Sequence, residues 1–129
     1  MLSSGTGLLN KTEALALQKR LLADSNFDPN YSQLLDFTHI TQFDFTAADI
    51  HQLALQSIFS LDSRRAILVP NDLGFGLGRM YGILREAAGE RGIRVFRELE
   101  DALDWVLPKQ EAFLTSASFS RVYSRFLPF

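Results

Sequence analysis

The sequence predicts an α/β fold, a mainly parallel sheet with helices packed on it, and three observations carry that expectation. Ala66, Ile67, Leu68 and Val69 form a short continuous apolar run stopped by Pro70, the pattern of a strand buried on both faces. Directly after it, Asn71 or Asp72 can cap the free N–H groups of a helix whose apolar stripe includes Leu73, Leu77, Met80, Tyr81 and Leu84. Helical and strand patterns then alternate along the chain as α-β-α-β-α-β-α, and repeated crossovers of this kind imply parallel strands with right-handed connections.

Each element has its own warrant. Met1 to Gly7 is small and polar and reads as a frayed lead-in. Asn10, with Glu13 three residues on, forms a capping box for a first helix over Lys11 to Ala23, with Ala14, Leu17, Gln18 and Leu21 on one face. The turn residues Asp24, Ser25, Asn26, Asp28, Pro29 and Asn30 break it, while Phe27 is expected to plug back into the core. Gln33 to Phe37 reads as a strand and Thr41 to Phe45 as a connection with alternating aromatics. Thr46 and Asp49 form a second capping box, opening a helix that carries Ile50, Leu53, Ala54 and Ile58 on one side and ends near Phe59. Gly89 and Gly92 close the glycine-rich helix, Ile93 to Phe96 reads as a third strand, and Glu98 to Leu107 as a short, acidic-started helix stopped by Pro108.

A chain of 129 residues, 47% hydrophobic and 22% charged, suits one domain that can bury one core. The domain is expected over residues 1–107, with residues 108–129 as a C-terminal extension. In that extension Phe119, Val122, Tyr123 and Phe126 fall at helical spacing on one face, which predicts packing on the domain or on a second subunit and hence a homodimer. Thirteen basic residues against fifteen acidic leave a net charge of −2, so no field gathers nucleic acid or an anionic membrane. The absence of cysteine excludes a disulfide framework, a thiol nucleophile and a thiolate metal site. No apolar run is long enough for a membrane span and no signal pattern opens the chain, so the expectation is a soluble cytoplasmic protein.

Gly76, Gly78 and Gly82 follow a strand in a way that resembles a dinucleotide fingerprint, with Glu98 further on. Against it, Pro70 to Leu73 separate the strand from the glycines, where the fingerprint needs its tight turn, and a second mononucleotide half is lacking. Gly74, Gly78 and Gly82 lie four apart and make a bare stripe for close approach of a sheet, a helix or a ligand, at roughly 0.5–1 kcal/mol per glycine in helix propensity. No cofactor is expected. His39 and His51, near Asp36, Asp44 and Asp49, lack the spacing of a compact metal site, so no metal is expected either. Neither a Ser-His-Asp order with elbow glycines nor a P-loop is present, and no catalytic residues are assigned. Arg79, beside the glycine stripe, can hold an anionic group bidentately or pair with Glu86. Phe27, Phe37, Phe43, Phe45 and Phe75 read as core.

The stretches LLADSNFDP, YSQLLDFTHITQFDFTAADI, RRAILVPNDLGFGLGRMYGIL and VFRELEDALDWV together resemble the SpoIIAA-like branch of the STAS fold (sulphate transporter and anti-sigma-factor antagonist). Gly76, Arg79, Met80 and the ending Phe96 to Trp105 are the most specific pieces, and the resemblance spans about Gly5 to Leu107. It implies a SpoIIAA-like, STAS-type sheet. Members usually begin with a β-hairpin; here only Met1 to Leu9 precedes the first helix, so the hairpin is expected to be shortened. It also implies a phospho-switch at Asp44-Phe45-Thr46, with threonine for the usual serine and no glycine after it; the N-cap role at ~1 kcal/mol accounts for Thr46 as well. The expected function is a non-enzymatic regulatory or interaction module. The alternative is a carrier of a small apolar or anionic ligand near the glycine-rich helix, with Asp36, Asp72, Gly76, Arg79 and Tyr81 as candidate ligand or partner contacts. An enclosed apolar pocket of several hundred Å³ favours the carrier, and a solid core the module.

Overall fold

A computed structural model describes residues 1–107, which alternate strand and helix throughout. The elements are β1 (Leu2–Asn10), α1 (Lys11–Ala23), β2 (Gln33–Asp44), α2 (Ala47–Ala54), β3 (Arg65–Leu68), α3 (Asp72–Ala87), β4 (Ile93–Phe96) and α4 (Leu99–Val106). The four strands form one parallel sheet in the order β1-β2-β3-β4. With neighbours in sequence also neighbours in space, right-handed crossovers bring α1, α2 and α3 to one face. There Leu17, Phe75 and Tyr81 pack against Leu35, Ile67 and Val69. The chain leaves β4 for the opposite face, where α4 lays Ala102, Leu103 and Val106 on Leu2, Leu34, Ala66 and Leu68.

The N-terminus corrects the sequence reading. Residues expected to fray form β1, an edge strand parallel to β2, with Leu2 paired to Leu34 and Asn10 to Asp44. Serine and glycine are poor strand formers. Pairing and burial override that preference, because Leu2 enters the core beneath α4 and Ser3 accepts a hydrogen bond from Gln33. The strand is irregular, with register shifts between Ser4 and Thr6 and between Gly7 and Leu8, and Gly7 takes the positive φ that the second irregularity uses. In place of a hairpin there is this single strand.

β2 is likewise longer than expected. Its first four residues lie between β1 and β3, whereas Thr38 to Asp44 continue beyond β3 and are held by β1 alone. The segment read as a connection is thus strand, and its β-branched Thr38, Ile40 and Thr41 suit it. Helix α2 stops at Ala54, short of Phe59. Phe59 instead turns inward, and its ring meets Phe27 edge to face at 5.4 Å, which bears out the inward position expected for Phe27.

Both anticipated helix starts are present. Asn10 Oδ1 accepts from Glu13 N, and Thr46 and Asp49 make the two reciprocal bonds of a capping box. Asn71, rather than Asp72, caps α3 by accepting from Gly74 N. The glycine stripe explains how closely α3 lies on the sheet: a Cβ at Gly74 would come within 3.0 Å of the Phe43 ring, and one at Gly78 within 3.0 Å of Val95. The glycines therefore serve helix-on-sheet packing and lie inside the helix, away from the strand-to-helix turn where a phosphate cradle forms. The amphipathic pattern of residues 108–129 lies outside the described residues.

Candidate ligand cavity

Strand alternation puts Gln33, Leu35 and Phe37 of β2 and Arg65 and Ile67 of β3, with Val69 just beyond it, on the face that α1 to α3 cover. Opposite them stand Ala14, Leu17 and Leu21 of α1, Ile50 and Leu53 of α2, and Leu77 and Tyr81 of α3. The two sets do not close. An apolar cavity of about 120 Å³ remains between the helices and the sheet. That falls short of the several hundred Å³ expected of a carrier pocket but is far larger than the voids a close-packed core keeps. Phe37, Phe43 and Phe45, read from the sequence as core, line this space rather than filling it. Across its helical side, Lys11 Nζ donates to Gln52, and Gln18 Nε2 donates to Gln56 O at 3.1 Å, tying α1 to α2 and the residues that follow it.

One end of the cavity is polar. Arg65, the first residue of β3, is buried with its guanidinium 4.4 Å from the Phe59 ring centre. Its Nε donates to Gln33 Oε1 at 3.1 Å, and its Nη1 to Tyr81 Oη at 3.3 Å and to both Glu90 oxygens at 3.4 Å. Glu90 is fully buried and also accepts from Arg85 Nε at 2.9 Å, while Arg85 Nη1 donates to Ala54 O. Gln33 extends the network to Ser3 on the edge strand. Residues from β1, β2, α2, β3, α3 and the loop after α3 thus meet at the N-terminal ends of β2 and β3.

The residues singled out from sequence are dispersed. Tyr81 alone among the candidate contacts lines the cavity. Asp36 lies on the strand face opposite to it and accepts from Thr38 N and Thr38 Oγ1. Asp72 is exposed at the start of α3 and accepts from Arg97 at 2.5 Å. Gly76 faces open space. Arg79, with no ion pair to Glu86, lines a separate groove between α3 and β4 along with Phe75, Ile83 and Val95. Asp44, the last residue of β2, and Thr46 just past it are exposed, and capping occupies Thr46 Oγ1. His39 and His51 are exposed, and among the described residues no cluster of three or more His, Asp or Glu is placed to hold a metal.

Gln33, Arg65, Arg85 and Glu90 were not anticipated. Arg65 carried one signal, a charged residue opening a strand that otherwise reads as buried on both faces. Glu90 gave none, since it follows the glycine that ends α3 and looks like any surface acid there.

No protein-family model matches the chain, and no curated protein matches it. Among solved structures it is similar to an uncharacterized protein from the DUF3478 family with a SpoIIAA-like fold, from Shewanella loihica PV-4, at 22% identity over 82% of each chain with a TM-score of 0.49. That neighbour is described with the fold that the sequence resemblance names.

Proposed function

We propose that the protein is a binding module for a small, largely apolar ligand held between α1 to α3 and the sheet, acting as a carrier or sensor rather than an enzyme. The observation that carries this reading is the unfilled apolar cavity, walled by Leu35, Ile67 and Val69 on one side and Leu17, Leu53 and Leu77 on the other. A domain whose only task was to present a surface would gain stability by filling that space, since each missing methylene forfeits transfer and contact energy. In this reading the module works in the cytoplasm, in keeping with the cysteine-free sequence.

A cavity-filling variant tests it. Ala14 lines the cavity from α1, so Ala14→Phe should occupy the space. Thermal-shift titration with small alkyl and aryl compounds is expected to stabilise the wild type and leave Ala14→Phe unmoved. Equal responses, or none in either protein, would contradict the proposal.

The interaction-module reading keeps one specific support. Among the described residues β4 is a sheet edge, and the groove beside it joins the exposed Ile83 and half-buried Phe75 to Ile93, Val95 and Arg79. A strand edge with an apolar flank suits a second copy of the chain. Light scattering of Ile83→Asp checks this: a mass falling from dimer to monomer supports it, and an unchanged mass removes it.

A further inference from the structure

Among the described residues the polar end of the cavity carries one more cation than it has anions. Arg65 and Arg85, each more than nine-tenths buried, share the single carboxylate of Glu90. Arg85 has the closer contact with it, at 2.9 Å against 3.4 Å for Arg65. The Arg65 guanidinium is thus the less compensated charge, and it is the charged side chain of the cavity wall. Its Nε and Nη1 make all of its hydrogen bonds to the described residues, and Nη2 makes none. No sealed side-chain polar atom among the described residues lacks a partner, so Nη2 is not sealed. Tyr81 Oη accepts from Arg65 Nη1, which leaves the phenolic proton free to donate. Phe59 against the guanidinium fixes its plane.

A buried cation with incomplete pairing is expensive, and an incoming anion that takes up the free N–H groups turns that cost into affinity. We infer that the ligand is an amphipathic anion, a small carboxylate. Its carboxylate accepts from Arg65 Nη2 and the Tyr81 hydroxyl, and its apolar body lies among Leu35, Leu53, Ile67 and Val69. This specifies the ligand class of the cavity reading above and rests on that reading.

The test compares acids with their neutral amides: benzoate with benzamide and hexanoate with hexanamide, titrated at neutral pH by calorimetry into wild type, Arg65→Gln and Tyr81→Phe. The wild type is expected to prefer each carboxylate by about tenfold or more, the scale of a charge-assisted bond. Arg65→Gln leaves Glu90 paired to Arg85 and is expected to abolish the preference while amide binding persists. Should Arg65→Gln fail to fold, Tyr81→Phe keeps the ring and removes one donor, and is expected to lower carboxylate affinity several-fold with amide affinity unchanged. Equal binding of acid and amide to the wild type overturns the anion inference and leaves the cavity reading standing. Binding of neither overturns both. A carboxylate preference that survives both variants overturns the roles given to Arg65 and Tyr81.

Discussion

Arg85 Nε donates to Oε1 of Glu90 across 2.9 Å, with both side chains buried beneath the N-terminal ends of β2 and β3. This pair holds the end of α3 to the loop that follows it, and through Arg85 Nη1 and Ala54 O it ties both to the end of α2. The floor of the cavity is therefore polar, branched and dependent on one acid.

Removing that acid should be costly. Glu90→Gln leaves two buried guanidiniums without a counter-charge and is expected to destabilise the domain by about 3–5 kcal/mol. Arg65→Gln leaves the Arg85–Glu90 pair intact and should cost less. Urea unfolding monitored by tryptophan fluorescence ranks the two, and a smaller loss for Glu90→Gln than for Arg65→Gln would contradict the shared-carboxylate account.

The glycines divide by what a Cβ would meet. At Gly76 it would meet nothing within 4 Å, so Gly76→Ala should stabilise α3 by roughly 0.5–1 kcal/mol. At Gly92 it would lie 2.1 Å from Ser63 O, a backbone atom, so Gly92→Ala should destabilise strongly or prevent folding. Thermal denaturation of the two variants shows whether they move in opposite directions.

Thr46 accepts from Asp49 N and is exposed, so Thr46→Ala should cost about 1 kcal/mol, the loss of one cap. We propose that Thr46 can also serve as a phospho-switch, its phosphate held by the N-terminus of α2. Partner or ligand binding changed by Thr46→Glu but not by Thr46→Ala would support the switch, and binding untouched in both variants would leave only the cap.

The Met1 amino group donates to Ser32 O at 2.8 Å, and burial lowers its pKa from 8.0 to about 6. The unfolded chain then binds this proton more tightly than the folded one, so the group's effect is to make stability fall as pH drops from about 8 to about 6 and level off below. Comparing urea midpoints at these two pH values for the free and the N-terminally acetylated chain isolates it; equal pH slopes would show that the amine contributes nothing.

Much of the fold was legible because local chemistry and tertiary structure agree. The Asn10 cap, the Thr46–Asp49 box and the apolar run ending at Pro70 each act within four residues of sequence, and α1, the start of α2 and the β3–α3 unit stand where they point. β1 was not legible, because its serines and glycines acquire strand character only from pairing with β2 and from the insertion of Leu2 under α4. The candidate site was legible only at Tyr81. Its other polar members, Gln33, Arg65 and the Arg85–Glu90 pair, are far apart in sequence, and only the folded sheet brings them to one point.

The most direct measurement of the central claim is methyl NMR of the protein during titration with benzoate and with hexanoate. The account predicts saturable shifts at Leu35, Leu53, Ile67 and Val69, which wall the cavity, with little change at Leu34, Leu68 and Leu103 beneath α4. Shifts confined to the α4 face, or none at ligand concentrations that saturate the calorimetric response, would contradict it.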